Sequence, residues 1–83
     1  MWYFYVVKCN DNSFYAGVTT NLNRRINEHN TSSKGAKYTK TRRPVKLIFF
    51  QEVGGRSEAQ QIEAGFKKLN RKQKEEFIIK YST

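Results

Sequence analysis

An aromatic and β-branched run near the start of the chain constrains the fold most strongly. It reads "WYFYVVKC", from Trp2 to Cys9, and it is largely apolar at both odd and even positions. Because successive side chains of a strand point to opposite faces of a sheet, such a run predicts a strand that is covered on both faces. We therefore expect residues 2–9 to form the central strand of a sheet.

Weaker patterns along the rest of the chain predict two more strands and four helices. Asn21 is a suitable N-cap for a helix, and Pro44 stops a short helix because the residue before proline avoids the α region. The expected elements are strands at 2–9, 14–18 and 45–53, and helices from 21 to about 30, within 36–43, from 57 onward and at 72–81. This order, β-β-α-α-β-α-α, predicts an α+β fold with a three-stranded, mostly antiparallel sheet flanked by helices. Its 83 residues have room for one domain only, residues 1–83.

The two C-terminal helices have identifiable inner faces. Ser57 with Gln60 matches a capping box, which predicts that the third helix begins at Ser57. Helical spacing then gives each helix an apolar stripe that is expected to face the sheet. The inward residues are expected to be Ala59, Ile62, Phe66 and Leu69 in the third helix, and Phe77, Ile78 and Tyr81 in the last.

The turn between the first two strands decides whether two tyrosines share a face of the sheet. With a loop of two or four residues, Tyr15 pairs with Lys8, and the Tyr5 and Tyr15 side chains point to opposite faces. With a three-residue loop at 10–12, Tyr5 lies opposite Gly17 and both hydroxyl groups emerge on one face.

We favour the three-residue loop. Its last residue must adopt the left-handed conformation, and Asn12 belongs to one of the few residue types other than glycine that do so. Gly17 supports the same choice, because a glycine opposite Tyr5 leaves space for the ring to lie across the strand pair.

Positive charge is the strongest bulk property of the chain. It has 16 Lys and Arg residues against seven Asp and Glu residues, a net charge of +9. Residues 34–46 carry six basic side chains and residues 67–74 carry five, with no acidic residue in either segment. This clustering favours a binding face for a polyanion, chiefly nucleic acid, over a merely solvated basic surface or attraction to anionic lipid. The expected nucleic-acid contacts are Lys34, Lys37, Lys40, Arg42, Arg43, Lys67 and Lys68.

Cysteine content and hydropathy point to a soluble cytoplasmic domain. The single cysteine, Cys9, excludes an internal disulfide and a cysteine-based metal cluster, which favours a reducing compartment. No apolar run approaches the roughly 20 residues of a membrane-spanning helix, and the N-terminus lacks the pattern of a secretory signal. We therefore expect no membrane partner.

Four motifs in a fixed order resemble the GIY-YIG nuclease superfamily, in particular its small stand-alone bacterial members of the URI type. They are "WYFY", "FYAGVTTNLNRRINEH", "RRPVKL" and "EAQQIEAGFKKL", and together they extend over nearly the whole chain. Each motif is weak alone, but their order and spacing are specific. Two positions depart from the pattern: Tyr3 replaces the glycine of the first motif, and Val18 stands where some members have a lysine.

The resemblance implies a metal-dependent endonuclease that hydrolyses phosphodiester bonds of DNA. By position, it implies Tyr15 as the general base or water-orienting phenol and Tyr5 as its hydrogen-bonding partner. Arg25 would bind the scissile phosphate, His29 would assist proton transfer, and Glu63 would hold one Mg²⁺ or Mn²⁺ ion. It leaves open whether RNA is also a substrate and whether the nuclease prefers branched or damaged DNA.

Simpler interpretations of three site residues remain open from the sequence alone. His29 lies at helical spacing from apolar residues, so it can equally be a partly buried histidine with one hydrogen bond. Glu63 can be a solvent-facing acid that pairs with Lys67 at i+4. Glu58, on the other flank of the same helix, is the alternative metal ligand, or an acid that favours the helix N-terminus.

Three classes of function are compatible with these residues. A nuclease is favoured because a phenol, a guanidinium, an imidazole and a carboxylate occur together, whereas a pure binder needs only the basic residues. The alternative is a non-catalytic nucleic-acid-binding module of the same fold, and a weaker third hypothesis is a basic protein-interaction domain. Target choice is expected to come from the basic surface or from a partner protein.

Overall fold

The computed structural model describes residues 1–81 and confirms the predicted α+β fold. A three-stranded antiparallel sheet is flanked by four helices in the expected order β-β-α-α-β-α-α. The elements are β1 (Trp2–Lys8), β2 (Phe14–Thr19), α1 (Leu22–Thr31), α2 (Lys37–Lys40), β3 (Lys46–Val53), α3 (Arg56–Lys67) and α4 (Arg71–Tyr81).

Strand β1 is central, as its composition predicts. The strand order is β2-β1-β3, with both neighbours antiparallel to β1. Phe4, Tyr5, Val6 and Val7 are all buried, and neighbouring side chains in this run point to opposite faces. Both faces of the sheet are therefore covered, which leaves β2 and β3 as its edges.

Two apolar clusters lie on the two faces of the sheet. One cluster joins the sheet to α3 and α4, and it contains Phe4, Val6, Ala16, Phe49 and Phe66, with Ile62, Phe77 and Ile78 packed against it. The other joins the sheet to α1, and it contains Tyr5, Val7, Cys9 and Val45, with Tyr15, Leu22 and Ile26 packed against it. Helix α1 thus covers the face of the two tyrosines, and α3 and α4 cover the opposite face.

The β1–β2 turn has the predicted three-residue loop at 10–12. The Cys9 N–H donates to the Ser13 carbonyl at 2.8 Å, and Asn12 adopts the left-handed conformation with φ 69°. The strand register places Tyr5 opposite Gly17. Tyr5 and Tyr15 therefore lie on the same face of the sheet, as this loop requires.

The N-cap of α1 is confirmed, whereas the predicted capping box of α3 is wrong. The Asn21 side chain accepts a hydrogen bond from the Arg24 N–H at 3.0 Å. Helix α3 begins one residue earlier than predicted, and Gly55 occupies its N-cap without a side-chain hydrogen bond. Ser57 consequently lies inside the first turn, where its hydroxyl is not at the cap position.

A capping box is present at α4 instead. The Gln73 N–H donates to the Asn70 side-chain oxygen, and the Asn70 N–H donates to the Gln73 side-chain oxygen, each at 2.9 Å. Phe77 and Ile78 pack inward as predicted. The inward placement of Tyr81 is wrong: it is 53% exposed and contacts the Phe77 ring at a centroid distance of 4.8 Å, because it lies one helical turn further along α4.

None of the helices within residues 1–81 is both long enough and apolar enough to cross a bilayer.

The contact between Tyr5 and Gly17 leads to a test of the strand register. A Cβ atom at Gly17 would lie 2.5 Å from the Tyr5 Oη atom and 2.7 Å from its Cζ atom. The buried Tyr5 ring cannot move aside freely, so we expect Gly17→Ala to lower the free energy of unfolding by about 1–3 kcal/mol. Urea denaturation measures this change.

Gly65→Ala is the matched control. Gly65 lies in α3, and a Cβ atom there would meet no atom of another part of the structure within 4 Å. We expect this variant to be more stable by about 0.5–1 kcal/mol, because alanine is favoured over glycine inside a helix. Equal stability changes for the two variants would contradict the described packing of Tyr5 against Gly17.

Candidate active site

A buried hydrogen bond between Tyr5 and His29 forms the centre of the candidate site. The Tyr5 ring extends over Gly17, and its Oη atom lies 2.7 Å from His29 Nε2. Tyr5 is 1% exposed and His29 is 0% exposed. The phenol from β1 and the imidazole from α1 therefore meet inside the protein and not on its surface.

The second ring nitrogen of His29 joins α1 to α2. The Ala36 N–H donates to Nδ1 at 3.3 Å, and Oγ1 of the buried Thr39 lies 3.1 Å from the same atom. Nδ1 accepts from the Ala36 N–H in one tautomer, and in the other it donates to Thr39 Oγ1, which itself donates to the Ala36 carbonyl at 2.8 Å. Either tautomer leaves Nε2 hydrogen-bonded to the Tyr5 hydroxyl.

Burial keeps both members of this pair neutral at pH 7. It raises the pKa of Tyr5 to about 12, while the nearby Arg25 guanidinium acts in the opposite direction. Burial, together with the positive charge of Arg25, lowers the pKa of His29 to about 4. A neutral imidazole hydrogen-bonded to a neutral phenol is what this environment favours.

Tyr15 is the more accessible of the two site phenols. It is half-buried, and its ring contacts the His29 ring edge-on at a centroid distance of 5.4 Å. On the other side, it stacks on the Tyr38 ring at 5.8 Å, with 23° between the two planes. The ring of Tyr15 is thus held between α1 and α2.

Arg25 brings a positive charge to the same place. Its Nη1 atom donates to Glu28 Oε1 at 3.0 Å and to the Lys34 carbonyl at 2.9 Å. Its positive charge acts to lower the pKa of both Tyr5 and His29. With five N–H donors, a guanidinium can keep these contacts and still bind an anion.

Glu63 reaches the site from the opposite face of the sheet. It lies on α3, and α3 packs against the edge strand β2, so its side chain can pass the sheet edge. Its negative charge is among those that raise the pKa of Tyr5, although burial is the main cause. Glu63 Oε2 lies 3.2 Å from Lys67 Nζ, and that Nζ atom lies 5.9 Å from the centroid of the Tyr15 ring.

The simpler interpretation of Glu63 predicts an ion pair with Lys67. That ion pair is present, and it lies beside Tyr15. Glu58, the alternative acid, is exposed in the first turn of α3, beside Gly54. Within residues 1–81, no three His, Cys, Asp or Glu residues are grouped as a metal cluster. The single carboxylate of Glu63 is a hard oxygen donor, which suits Mg²⁺ or Mn²⁺ because Mg²⁺ commonly binds through one or two carboxylates plus water and phosphate oxygens.

The predicted nucleic-acid contacts fall into two groups. Lys34, Lys37, Lys40, Lys67 and Lys68 are exposed. Arg43 is used internally instead: its Nε atom donates to the His29 carbonyl and its Nη2 atom to the Ser32 carbonyl, each at 2.6 Å. The C-terminal carbonyls of α1 need such donors, so Arg43 stabilises the helix end, and its contact with phosphate stays a prediction.

Arg42 supports the aromatic wall of the site. Its guanidinium carbon lies 3.9 Å from the centroid of the Tyr38 ring, and its Nε atom donates to Asp11 Oδ2 at 3.0 Å. The sequence predicts a short helix and a basic surface in this segment, and it did not identify Tyr38 or Thr39 as site residues. The available signal was "KYTK", in which an aromatic residue interrupts a basic run.

Comparison with known families agrees with this site. A model of the GIY-YIG catalytic domain matches residues 1–76. The chain therefore belongs to the GIY-YIG family, whose domains are of the nuclease type, and the predicted family is confirmed.

Similar proteins are small bacterial proteins. The UPF0213 protein lwe0147 of Listeria welshimeri is 57% identical over 77 residues, which cover 93% of this chain and 84% of that protein. The UPF0213 protein YazA of Bacillus subtilis is 58% identical over 76 residues, or 92% of this chain and 76% of that one. The solution NMR structure of EF2693 from E. faecalis has a TM-score of 0.67 at 52% identity, and it covers 95% of this chain and 83% of that chain.

The buried histidine leads to a prediction of how stability depends on pH. The ordinary pKa of histidine is 6.5, and that of His29 in the folded protein is about 4. Between these values the unfolded chain binds more protons, so the free energy of unfolding falls as the pH is lowered from 6.5 to 4. The loss is on the order of 3 kcal/mol.

NMR measures this pKa directly, because His29 is the only histidine. Its ring signals are expected to remain those of the neutral form at pH 6. The control is the stability of His29→Gln over the same pH range, which contains the contribution of the carboxylates but not that of the imidazole. A ring titration centred near pH 6.5 would show that the imidazole is solvated.

Proposed function

We propose that this protein is a metal-dependent endonuclease that hydrolyses phosphodiester bonds of DNA. The observation that carries the proposal is the convergence of Tyr15, Arg25 and Glu63, from β2, α1 and α3, around the buried Tyr5–His29 pair. Membership of the GIY-YIG family supports the nuclease class.

The accessible residues match the needs of phosphodiester hydrolysis. Water must lose a proton as it attacks, and negative charge develops on the phosphate oxygens. Tyr15 is the half-buried phenol at the site and acts as general base or orients the water. Arg25 binds the scissile phosphate, since a guanidinium presents donors that match two phosphate oxygens at once.

Tyr5 and His29 are positioning residues in this proposal. Their burial keeps them out of contact with substrate. The sequence suggested a direct role in proton transfer for His29, and the proposal gives it a positioning role instead. The hydrogen bond to His29 fixes the Tyr5 hydroxyl within the cluster against which Tyr15 packs. The pair thereby sets the geometry in which Tyr15 works.

Glu63 would hold one Mg²⁺ or Mn²⁺ ion at the edge of β2. A divalent ion bound there would supply positive charge for the phosphate oxygens. The side chain is partly buried, with 21% exposure, so its direction is constrained by the helix and sheet around it.

Affinity for DNA comes from the exposed lysines in this proposal. Contacts with phosphate position a nucleic acid without reading its bases. Selection of a branched or damaged structure, or of a target site, therefore requires the shape of the basic surface or a partner protein. Lys37 and Lys40 flank Tyr38 on α2, which places two of these charges near the proposed base.

A DNA-binding module without turnover is the second candidate. One observation favours it, namely that Glu63 is paired with Lys67 at 3.2 Å and is not free for a metal ion. A third hypothesis, a basic protein-interaction domain, gains no support from the site.

A nicking assay separates the first two candidates. Supercoiled plasmid and branched DNA are incubated with Mg²⁺ or Mn²⁺ and with wild-type protein, Tyr15→Phe or Glu63→Ala. We expect the wild type to cleave and each variant to lose about 10²–10⁴-fold in rate, because each lacks a group that acts in the transition state. DNA binding, measured without metal, should be retained by both variants. A wild type that binds but never cleaves would establish the binding module.

The salt dependence of binding tests the role of the lysines. We expect log Kd to rise linearly with log salt concentration, and Lys37→Gln to reduce that slope by about 0.9, the value for one lost phosphate contact. Lys80→Gln is the matched control, because Lys80 lies on α4, which packs on the opposite face of the sheet from α1. If both variants changed the slope equally, binding would depend on overall charge and not on the face around Tyr38.

A further inference from the structure

We propose that Lys67 occupies the metal position at Glu63 in the free protein and leaves it when a DNA phosphate binds. Metal binding and DNA binding would then be coupled through one lysine. This inference rests on the proposed function, since it takes Glu63 as the metal ligand, and it adds a role for Lys67 that a simple phosphate contact does not have.

The position of Lys67 supports this role. Its Nζ atom lies 3.2 Å from Glu63 Oε2, where a cation is held by the carboxylate. The same atom lies 5.9 Å from the centroid of the Tyr15 ring, so the cation is also at the proposed base. Lys67 therefore lies where positive charge is needed for hydrolysis, although it belongs to the helix on the other face of the sheet.

The exposure of Lys67 differs from that of Glu63. The Lys67 side chain is 54% exposed, whereas the Glu63 side chain is 21% exposed. A half-exposed lysine on a flexible stem can turn to a new partner, while the more buried carboxylate stays in place. The structure thus combines a fixed carboxylate with a cation that can be displaced.

Competition between two cations follows from elementary electrostatics. Glu63 is the metal ligand in the proposal, and an ammonium group and a divalent ion repel each other if both are bound to that carboxylate. A DNA phosphate offers Lys67 another negatively charged partner and thereby frees Glu63 for the metal ion. Because coupling between two ligands is reciprocal, bound metal must increase DNA affinity by the same factor.

The first experiment measures metal binding to the full chain in the absence of DNA. Mg²⁺ is titrated at low salt, and the amide signals of α3 are followed by NMR, which also shows that each variant is folded. We expect Lys67→Met to bind Mg²⁺ about two- to fivefold more tightly than the wild type, the range expected for the loss of one partly exposed ion pair. Lys67→Arg keeps the charge and should bind Mg²⁺ like the wild type.

Lys68→Met controls for the general effect of removing a positive charge. Lys68 is the neighbouring residue at the end of α3, and it is exposed. The proposal requires the gain in Lys67→Met to exceed the gain in Lys68→Met. Equal gains, or no gain, would overturn it, because the change would then reflect net charge alone.

The second experiment measures the coupling itself. The Tyr15→Phe variant, with and without Lys67→Met, is titrated with Mg²⁺ in the presence and absence of a short DNA duplex, so that cleavage does not interfere. DNA should increase Mg²⁺ affinity in both proteins, and the increase should be about two- to fivefold larger when Lys67 is present. An equal increase in the two proteins would overturn the proposed displacement.

Glu63→Gln distinguishes failure of this inference from failure of the proposed function. If Glu63→Gln binds Mg²⁺ as tightly as the wild type, Glu63 is not the metal ligand, and both proposals lose their basis. If Glu63→Gln loses Mg²⁺ binding while Lys67→Met and Lys68→Met behave alike, the metal site stands and only the role of Lys67 is refuted.

Discussion

The hydrogen bond between Tyr5 and His29 is the interaction on which the candidate site depends. It joins the central strand to α1 at a distance of 2.7 Å, with both side chains buried. Through Nδ1 the same imidazole holds the start of α2, so one histidine positions three elements. Removal of either partner would leave a buried polar group without its hydrogen bond, which is costly. The accessible Tyr15 packs against the His29 ring, and Arg25 lies on the helix that this hydrogen bond joins to the sheet.

The register of the β1–β2 hairpin is the second constraint on the site. Side chains alternate along a strand, so a shift of one residue would move Tyr15 to the face of α3 and separate it from Tyr5. The left-handed Asn12 and the three-residue loop prevent this shift. Gly17 then leaves the space that the Tyr5 ring fills. A local choice of turn residue thus decides whether two phenols meet.

Most features encoded by short stretches of sequence were predictable, the capping box of α3 being an exception, and those that depend on tertiary contacts were not. The central strand, the hairpin loop and the Asn21 cap follow from neighbouring residues, because period, turn chemistry and capping are local properties. The burial of His29 was left open and the capture of Arg43 by the end of α1 was not anticipated, because each depends on partners distant in sequence. The resemblance to a family identified the candidate site residues. The structure was needed to show which of them face solvent.

The location of the site at a sheet edge follows from the cost of burying charge. Arg25 lies on the helix that covers one face, and Glu63 lies on a helix that covers the other. Side chains from opposite faces cannot meet through the middle of a sheet, and an ionised group placed there would lose its hydration. Around the edge strand β2 they can approach each other while remaining partly solvated. The neutral Tyr5–His29 pair occupies the dry interior beside them, since a hydrogen-bonded neutral pair tolerates burial. The strand order β2-β1-β3 therefore determines where a charged site can form in this fold.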